Sequence, residues 1–134
     1  MELTKIMRFS AAHRLTSPAL SPAENRRLYG PCSRNHGHNY ALEVTVRGPV
    51  DRDGMVMDLA VLEGAMREVV DLVDHRDLSR AVPALAGTIT TGENLAATFY
   101  RMLDRALPSG RLARVAVVET ENNRFEYEAT GGAA

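Results

Sequence analysis

HGHNYALEVTVR, residues 36–47, is the stretch that decides how this chain folds. Apolar side chains occupy every second position from Tyr40 to Val46, and a Gly-Pro pair ends the run. This alternation predicts a β-strand with one face in a core. His36 and His38 are in phase with the apolar positions, so both imidazoles are expected on the core face, near one point.

Three further strands are predicted from the same kind of pattern. Leu3 to His13 has apolar residues at most odd positions, with Lys5 as the exception, and His13 continues the apolar face. The last two strands are predicted at Val115 to Thr120 and Arg124 to Ala129. An Asn-Asn pair between them is typical of a hairpin turn.

Helices are predicted in the regions between these strands. Asp58 is expected to cap the start of an amphipathic helix that ends near Asp74 and His75. A second helix is expected to open within residues 90–93 and to stop at a Pro-Ser-Gly sequence. In the long connector, residues 21–24 read SPAE, which predicts a short capped helix.

Composition indicates one soluble domain, residues 1–134, with a frayed tail at 131–134. The chain is 45% hydrophobic and has no long apolar run, which argues against a membrane protein. Its net charge of −1 gives no excess of positive charge that would favour binding to nucleic acid or anionic lipid. A single cysteine and a start without a secretory signal lead us to expect a cytoplasmic protein.

The order of elements predicts an α+β fold: a four-stranded antiparallel sheet with both main helices on one face. The opposite face would have no cover, and the outer strand edges would have no partner. Association of several copies through the sheet would remove both problems, so a homo-oligomer is expected.

Three histidines are candidate metal ligands. His13, His36 and His38 are all expected at the ends of adjacent strands, on the apolar face. Catalytic zinc typically has three protein ligands and an open fourth position, which this set would supply. Alternatively, the His-x-His pair is simply polar at the start of a strand, and His13 is a hydrogen-bonded histidine at a strand end.

Cys32 is the only cysteine and lies four residues before His36. Its polar, turn-like surroundings and the neighbouring Arg34 favour a reactive thiolate that serves as a base or nucleophile. Two alternatives stay open: Cys32 is a metal ligand, or it is an inert small hydrophobic residue.

Acidic residues and one further histidine complete the candidates. Asp74 can orient His75 for proton transfer, or His75 can simply lie against the negative end of a helix dipole. Glu119 shares the apolar face of its strand and can bind a planar ligand, unless it is a solvent-exposed strand end. Glu93 forms a capping box with Thr90 in the simplest interpretation.

Together these residues resemble the 6-pyruvoyltetrahydropterin synthase family, which includes the bacterial 6-carboxytetrahydropterin synthases. The resemblance covers about Leu3 to Ala129. Five segments carry it in this order: Phe9 to Leu15, Cys32 to His38, Asp74 to Leu78, Thr91 to Asn94 and Glu119 to Asn123. Gly92 interrupts the Thr-Glu pair that is common in the family before the second helix.

The resemblance implies the tunnelling fold, in which three subunits close their sheets into a β-barrel and two trimers stack as a hexamer. It implies zinc on the three histidines and a catalytic triad of Cys32, Asp74 and His75. Glu119 would anchor a pterin, with Glu93 and Thr91 as further substrate contacts.

By the same resemblance, the substrate is 7,8-dihydroneopterin triphosphate, and triphosphate is eliminated. Two products are possible: 6-pyruvoyltetrahydropterin for tetrahydrobiopterin-type pathways, or 6-carboxytetrahydropterin for 7-deazaguanine (queuosine) synthesis. The segment from Glu119 to Asn123 and the long connector favour the first, and the short spacing from Cys32 to His36 favours the second. A non-catalytic zinc- or pterin-binding module, or a member acting on another pterin, is the alternative of a different class.

Overall fold

A computed structural model describes residues 1–129 of the chain. The predicted tail at 131–134 lies outside the described residues. Two single-turn 3-10 segments accompany the regular elements, at Gly30–Ser33 and Pro83–Leu85. In chain order the regular elements are β1 (Glu2–His13), α1 (Pro22–Tyr29), β2 (His36–Arg47), α2 (Leu59–Val73), β3 (Arg76–Asp77), α3 (Gly92–Ala106), β4 (Leu112–Thr120) and β5 (Asn123–Tyr127).

The sheet has the strand order β3-β1-β2-β4-β5. All neighbours are antiparallel except β3, which pairs with β1 in parallel over two residues and is the fifth strand that the sequence pattern did not predict. Too short for any alternation, β3 left no sequence signal. The final strand was predicted to reach Ala129, which was wrong, because β5 ends at Tyr127.

Pairing of β1 with β2 brings the predicted histidines together. The register is unbroken along both strands, with His13 opposite His36 and Ala11 opposite His38. Residues two apart on one strand share a face, so all three imidazoles project from the same end and the same face of the sheet. The alternation that predicts the strands therefore also predicts the cluster, once the register is known.

The core lies between this face and helices α2 and α3. Asp58 caps α2 as predicted, with its carboxylate accepting the N–H of Ala60, and Ser21 with Glu24 forms the predicted capping box of α1. Lys5, the exception in the β1 pattern, is explained by an ion pair with Glu63 of α2 at 2.9 Å.

The opposite face of the sheet is polar. Arg124 pairs with Glu43 at 2.6 Å and with Glu126 at 2.7 Å, and Arg114 pairs with Glu2. Exposed pairs of this kind contribute little to stability, so their main effect is on the solubility of the face. This face therefore suits contact with water more than a dry interface.

Both outer edges of the sheet lack partners along most of their length. β1 is paired with β3 only at Ala11 and Ala12, and the far side of β5 has no strand neighbour within residues 1–129. Among the same residues, no helix is both long enough and apolar enough to cross a membrane.

Gly92, the first residue of α3, is expected to tolerate no larger side chain. A Cβ built there would lie 2.0 Å from the ring of Phe125 and 2.5 Å from its Cγ, so turning the ring about its own axis would not clear the clash. Gly92→Ala should lower the free energy of unfolding by about 1–3 kcal/mol, the usual effect of overpacking. The gain of about 1 kcal/mol in helix propensity from Gly to Ala applies to helix interiors, so it offsets little of this loss at the first residue of α3.

Urea denaturation of five proteins measures this effect: the wild type, Gly92→Ala, Gly64→Ala, Phe125→Ala and the double variant Gly92→Ala/Phe125→Ala. Gly64→Ala in α2 is the matched control, because a Cβ at Gly64 meets nothing within 4 Å, and it should be neutral or stabilising. In a Phe125→Ala background the penalty of Gly92→Ala should disappear. An equal penalty in both backgrounds would show that the Phe125 ring is not its cause.

Candidate metal centre and active site

The three histidines form a compact cluster. His13 ends β1, and His36 and His38 begin β2. One ring nitrogen from each lies within 4.8 Å of the others, and the ring centroids are 4.5 to 5.2 Å apart. Such a group can hold a metal ion, as the sequence predicts.

Two of the imidazoles have a fixed tautomer. His13 Nδ1 lies 2.9 Å from the backbone carbonyl oxygen of Thr90, and His36 Nδ1 lies 2.7 Å from that of Arg34. A carbonyl oxygen only accepts, so each Nδ1 carries the proton and donates it. Each Nε2 then presents a lone pair, which is the arrangement of histidines that ligate metals.

His38 has a nitrogen without a partner. Its Nε2 is buried and makes no hydrogen bond to any of the described residues, and the nearest carboxylate oxygen, on Glu119, is 3.5 Å away. Leaving a buried polar atom unpaired costs about 1–3 kcal/mol, a cost that a metal ligand bond would remove. This atom is the strongest sign in the structure that the cluster fits a metal.

Burial favours the neutral, metal-binding form of two of the three imidazoles. It is the main cause that lowers the pKa of both His13 and His38, and His13 is completely inaccessible to solvent. Neutral imidazoles are the protonation state needed for coordination. Three neutral nitrogen donors with room for a fourth ligand are typical of catalytic zinc.

Thr90 is a site residue that the sequence did not reveal. It was interpreted as a helix cap paired with Glu93, and that was wrong: Thr91 caps α3 and accepts the N–H of Asn94. Thr90 is instead 1% exposed, and its carbonyl and hydroxyl oxygens both approach His13. The contact joins residues 77 positions apart, so no local pattern could have shown it.

Tyr40 also belongs to the site. Its hydroxyl lies 3.4 Å from His13 Nε2, and burial raises its pKa, so the hydroxyl stays protonated. The sequence indicated this position for Tyr40, because Tyr40, His38 and His36 occupy every second residue of one strand and so share a face.

Glu119 lies beside the histidine cluster, with its carboxylate oxygen 3.5 Å from His38 Nε2. It follows Val118, which pairs with Ala41 of β2, and its side chain is 15% exposed. The solvent-exposed alternative is therefore not what the structure shows. A half-buried carboxylate beside the cluster can accept hydrogen bonds from a planar ligand. Glu93 lies apart from this group, exposed in the first turn of α3.

Asp74 and His75 form a second polar group at the end of α2. The Asp74 carboxylate accepts the backbone N–H of Ser10 at 3.0 Å, and this bond is the main cause that lowers the pKa of Asp74. Its Oδ1 also lies 3.0 Å from His75 Nδ1. The carboxylate therefore orients the imidazole and leaves Nε2 free, as the proton-transfer interpretation requires.

His75 is held in an unusual backbone conformation. Its φ of +58° is rare for a residue other than glycine. The His75 N–H donates to the carbonyl oxygen of Ser10 at 2.6 Å, which fixes the turn. The side chain is 81% exposed and lines an open groove of about 480 Å³ that it shares with His38.

Cys32 lies in the 3-10 turn Gly30–Ser33 and is a free, half-buried thiol. It is absent from the core, which speaks against the inert hydrophobic interpretation. Its backbone carbonyl accepts the N–H of Leu15 at 2.8 Å, which ties the turn to the connector after His13. The cluster of three candidate ligands does not include Cys32, and Cys32 does not line the groove of His75.

Comparison with known proteins places this site in a family. The chain is 43% identical over 129 residues to the 6-pyruvoyl tetrahydrobiopterin synthase of Dictyostelium discoideum, covering 93% of each chain. It is 28% identical over 157 residues to the 6-carboxy-5,6,7,8-tetrahydropterin synthase of Aquifex aeolicus, covering 95% of this chain and 97% of that one.

The solved structure of Caenorhabditis elegans 6-pyruvoyl tetrahydropterin synthase matches with a TM-score of 0.92 at 40% identity, covering 97% of this chain and 96% of that one. The α+β tunnelling fold expected from the sequence is thereby confirmed. Residues 2–130 match the family described as 6-pyruvoyl tetrahydropterin synthase, and the chain belongs to that family.

Proposed function

We propose that this protein is a zinc-dependent lyase that converts 7,8-dihydroneopterin triphosphate to 6-pyruvoyltetrahydropterin with elimination of triphosphate. One observation carries the proposal: three convergent imidazoles, two with fixed tautomers and one with an unpaired buried nitrogen, lie beside the carboxylate of Glu119. The higher identity to the 6-pyruvoyl relative, 43% against 28%, favours this product over the 6-carboxy product.

His13, His36 and His38 would hold the zinc. When bound, zinc polarises the side-chain hydroxyls of the substrate and makes the adjacent C–H bonds more acidic. Thr90 and Arg34 serve by fixing two of the imidazoles through their carbonyl oxygens. Burial of His13 keeps water from the inner side of the cluster, which strengthens the electrostatic interactions there.

The remaining residues bind the substrate and move protons. Cys32, as thiolate, takes a proton from the side-chain carbon, and His75, oriented by Asp74, returns one elsewhere on the substrate. Oxidation of one carbon is matched by reduction of another within the same molecule, so no external oxidant is needed. Glu119 accepts the amino and N3 hydrogens of the pterin. Glu93 and Thr91, at the start of α3, are proposed as secondary substrate contacts.

We further propose that three chains close their sheets into a barrel and that two such trimers stack. The open edges of β1 and β5 supply the pairing surfaces, and the polar face would line a wet interior. The exposed side chain of His75 in one subunit would then reach Cys32 of a neighbouring subunit. We further propose that the enzyme acts in the cytoplasm. Sedimentation velocity is expected to show a hexamer; a monomer at assay concentrations would contradict this assembly.

Product analysis tests the chemistry. The zinc-loaded protein is incubated with 7,8-dihydroneopterin triphosphate, and the mixture is analysed by mass spectrometry. We expect triphosphate and 6-pyruvoyltetrahydropterin, and no activity after chelation until zinc is restored. Release of acetaldehyde with a 6-carboxy product would contradict the proposed product. Zinc and pterin binding without triphosphate release would instead identify a non-catalytic binding module.

A further inference from the structure

A second cavity lies beyond the strand ends that carry the histidines. It has a volume of about 530 Å³ and no acidic residue in its lining. Its polar lining consists mainly of guanidinium and hydroxyl groups; we refer to it as the arginine pocket. Those residues are Arg14, Thr16, Ser17, Arg26, Ser33 and Arg34.

The three guanidinium groups of this pocket have no counter-charge. Within residues 1–129, Arg14, Arg26 and Arg34 form no ion pair with a carboxylate, whereas Arg114 and Arg124 each pair with two. The chain as a whole carries a net charge of −1, so this concentration of positive charge is local. Like charges brought together without a partner repel, and a bound anion would relieve the repulsion.

The backbone around the pocket is fixed. The buried side chain of Asn25 accepts the N–H of Ser17 at 2.7 Å and donates to the carbonyls of Ser17 and Leu20 at 3.1 and 3.3 Å. Ser79 Oγ accepts the N–H of Arg14 at 3.1 Å and approaches the Arg14 carbonyl at 3.2 Å. The connector is therefore held in place before any ligand arrives, which limits the entropy lost on binding.

The pocket directly adjoins the metal cluster. Arg14 follows His13 in the chain, and the carbonyl of Arg34 holds the imidazole of His36. Glu119 lies on the other side of the cluster, next to His38. Because Val118 pairs with Ala41, the order along β2 is Glu119, then His38 and His36, and then Arg34 of the arginine pocket.

We infer that the arginine pocket binds the triphosphate end of the substrate and selects the phosphorylated pterin over the unphosphorylated one. This inference rests on the proposed function, because the order of the three groups matches ring, hydroxylated side chain and triphosphate. Guanidinium groups bind phosphate oxygens in a bidentate manner, and the nearby hydroxyls supply further donors.

Arg26→Gln tests the pocket, with Arg27→Gln as the matched control. Both arginines are exposed on α1, but Arg27 does not line the pocket, so the two variants lose the same charge on the same helix. Binding of inorganic tripolyphosphate to the zinc-loaded protein is measured by calorimetry, and KM is measured for 7,8-dihydroneopterin triphosphate. Any chelation of zinc by tripolyphosphate acts equally on all three proteins.

Arg26→Gln should weaken tripolyphosphate binding and raise KM by about tenfold to a hundredfold, as expected for the loss of a hydrogen bond between charged groups. Arg27→Gln should change neither by more than about twofold, the scale of an exposed charge. Affinity for dihydroneopterin without phosphates should be the same in all three proteins.

The outcomes separate this inference from the proposed function. If the wild type turns over and Arg26→Gln behaves like Arg27→Gln, the pocket assignment is wrong and the proposed function stands. If the wild type binds tripolyphosphate through Arg26 but never releases triphosphate, the proposed function fails, and with it the identity of the ligand.

Discussion

Cys32→Ala is expected to abolish turnover and to leave the zinc content of the protein unchanged. A positioned general base contributes about a hundredfold to ten-thousandfold to rate, so its loss should bring activity close to background. Zinc should remain because the three candidate ligand atoms come from His13, His36 and His38, without the thiol. Zinc is measured by plasma mass spectrometry and turnover by triphosphate release.

His36→Ala is the control for the opposite result. It removes one of the three imidazoles, so zinc and activity should be lost together. Comparison of Cys32→Ala with His36→Ala shows whether Cys32 acts as a base or as a zinc ligand. Loss of zinc from Cys32→Ala would make Cys32 a ligand, and full activity of Cys32→Ala would return it to an inert half-buried residue.

The sequence predicted the regular part of the molecule because that part is governed by local periodicity. Alternation in residues 36–47 predicted β2, its core face and the shared direction of His36 and His38. The same reasoning placed His13, since it continues the apolar face of β1. Capping at Asp58 and Ser21 was also predictable, because a cap is a contact between residues close in sequence.

Contacts between distant residues were not predictable. The carbonyl of Thr90 reaches His13 across 77 residues, and local pattern had assigned Thr90 to a helix cap. The ion pair of Lys5 with Glu63 and the pairing of β3 with β1 likewise depend on how elements pack. For the site, the candidate metal ligands were visible in the sequence, but the groups that orient them were visible only in the fold.

The hydrogen bonds of Asp74 determine whether its carboxylate contributes to the dependence of turnover on pH. Its pKa is lowered, chiefly by the Ser10 N–H, so its stabilising effect is complete above the ordinary carboxyl range and is lost as pH falls through the lowered value. The Asp74 carboxylate therefore stays ionised across neutral pH. Neither the acidic nor the alkaline limb of the profile arises from Asp74. In the proposed mechanism Cys32 is the base and His75 is the acid, and we expect this pair to give a bell-shaped profile of turnover against pH.

His75→Asn is expected to lower turnover by about a hundredfold to ten-thousandfold and to remove the alkaline limb, because the acid is gone while the thiolate base remains. Asparagine tolerates positive φ better than most residues, so the backbone at φ +58° should persist. Turnover is measured against pH at saturating zinc. Asp74→Asn should lower turnover less, since the imidazole remains but loses its orienting carboxylate.

Asp71→Asn is the matched control for Asp74→Asn. It removes the same charge at an exposed position near the end of α2. It should reproduce the wild-type rate and profile. If His75→Asn kept full activity and an unchanged profile, His75 would not be the acid. The pair of Asp74 and His75 would then serve only to hold the turn that Ser10 fixes, since its described hydrogen bonds join that turn to β1.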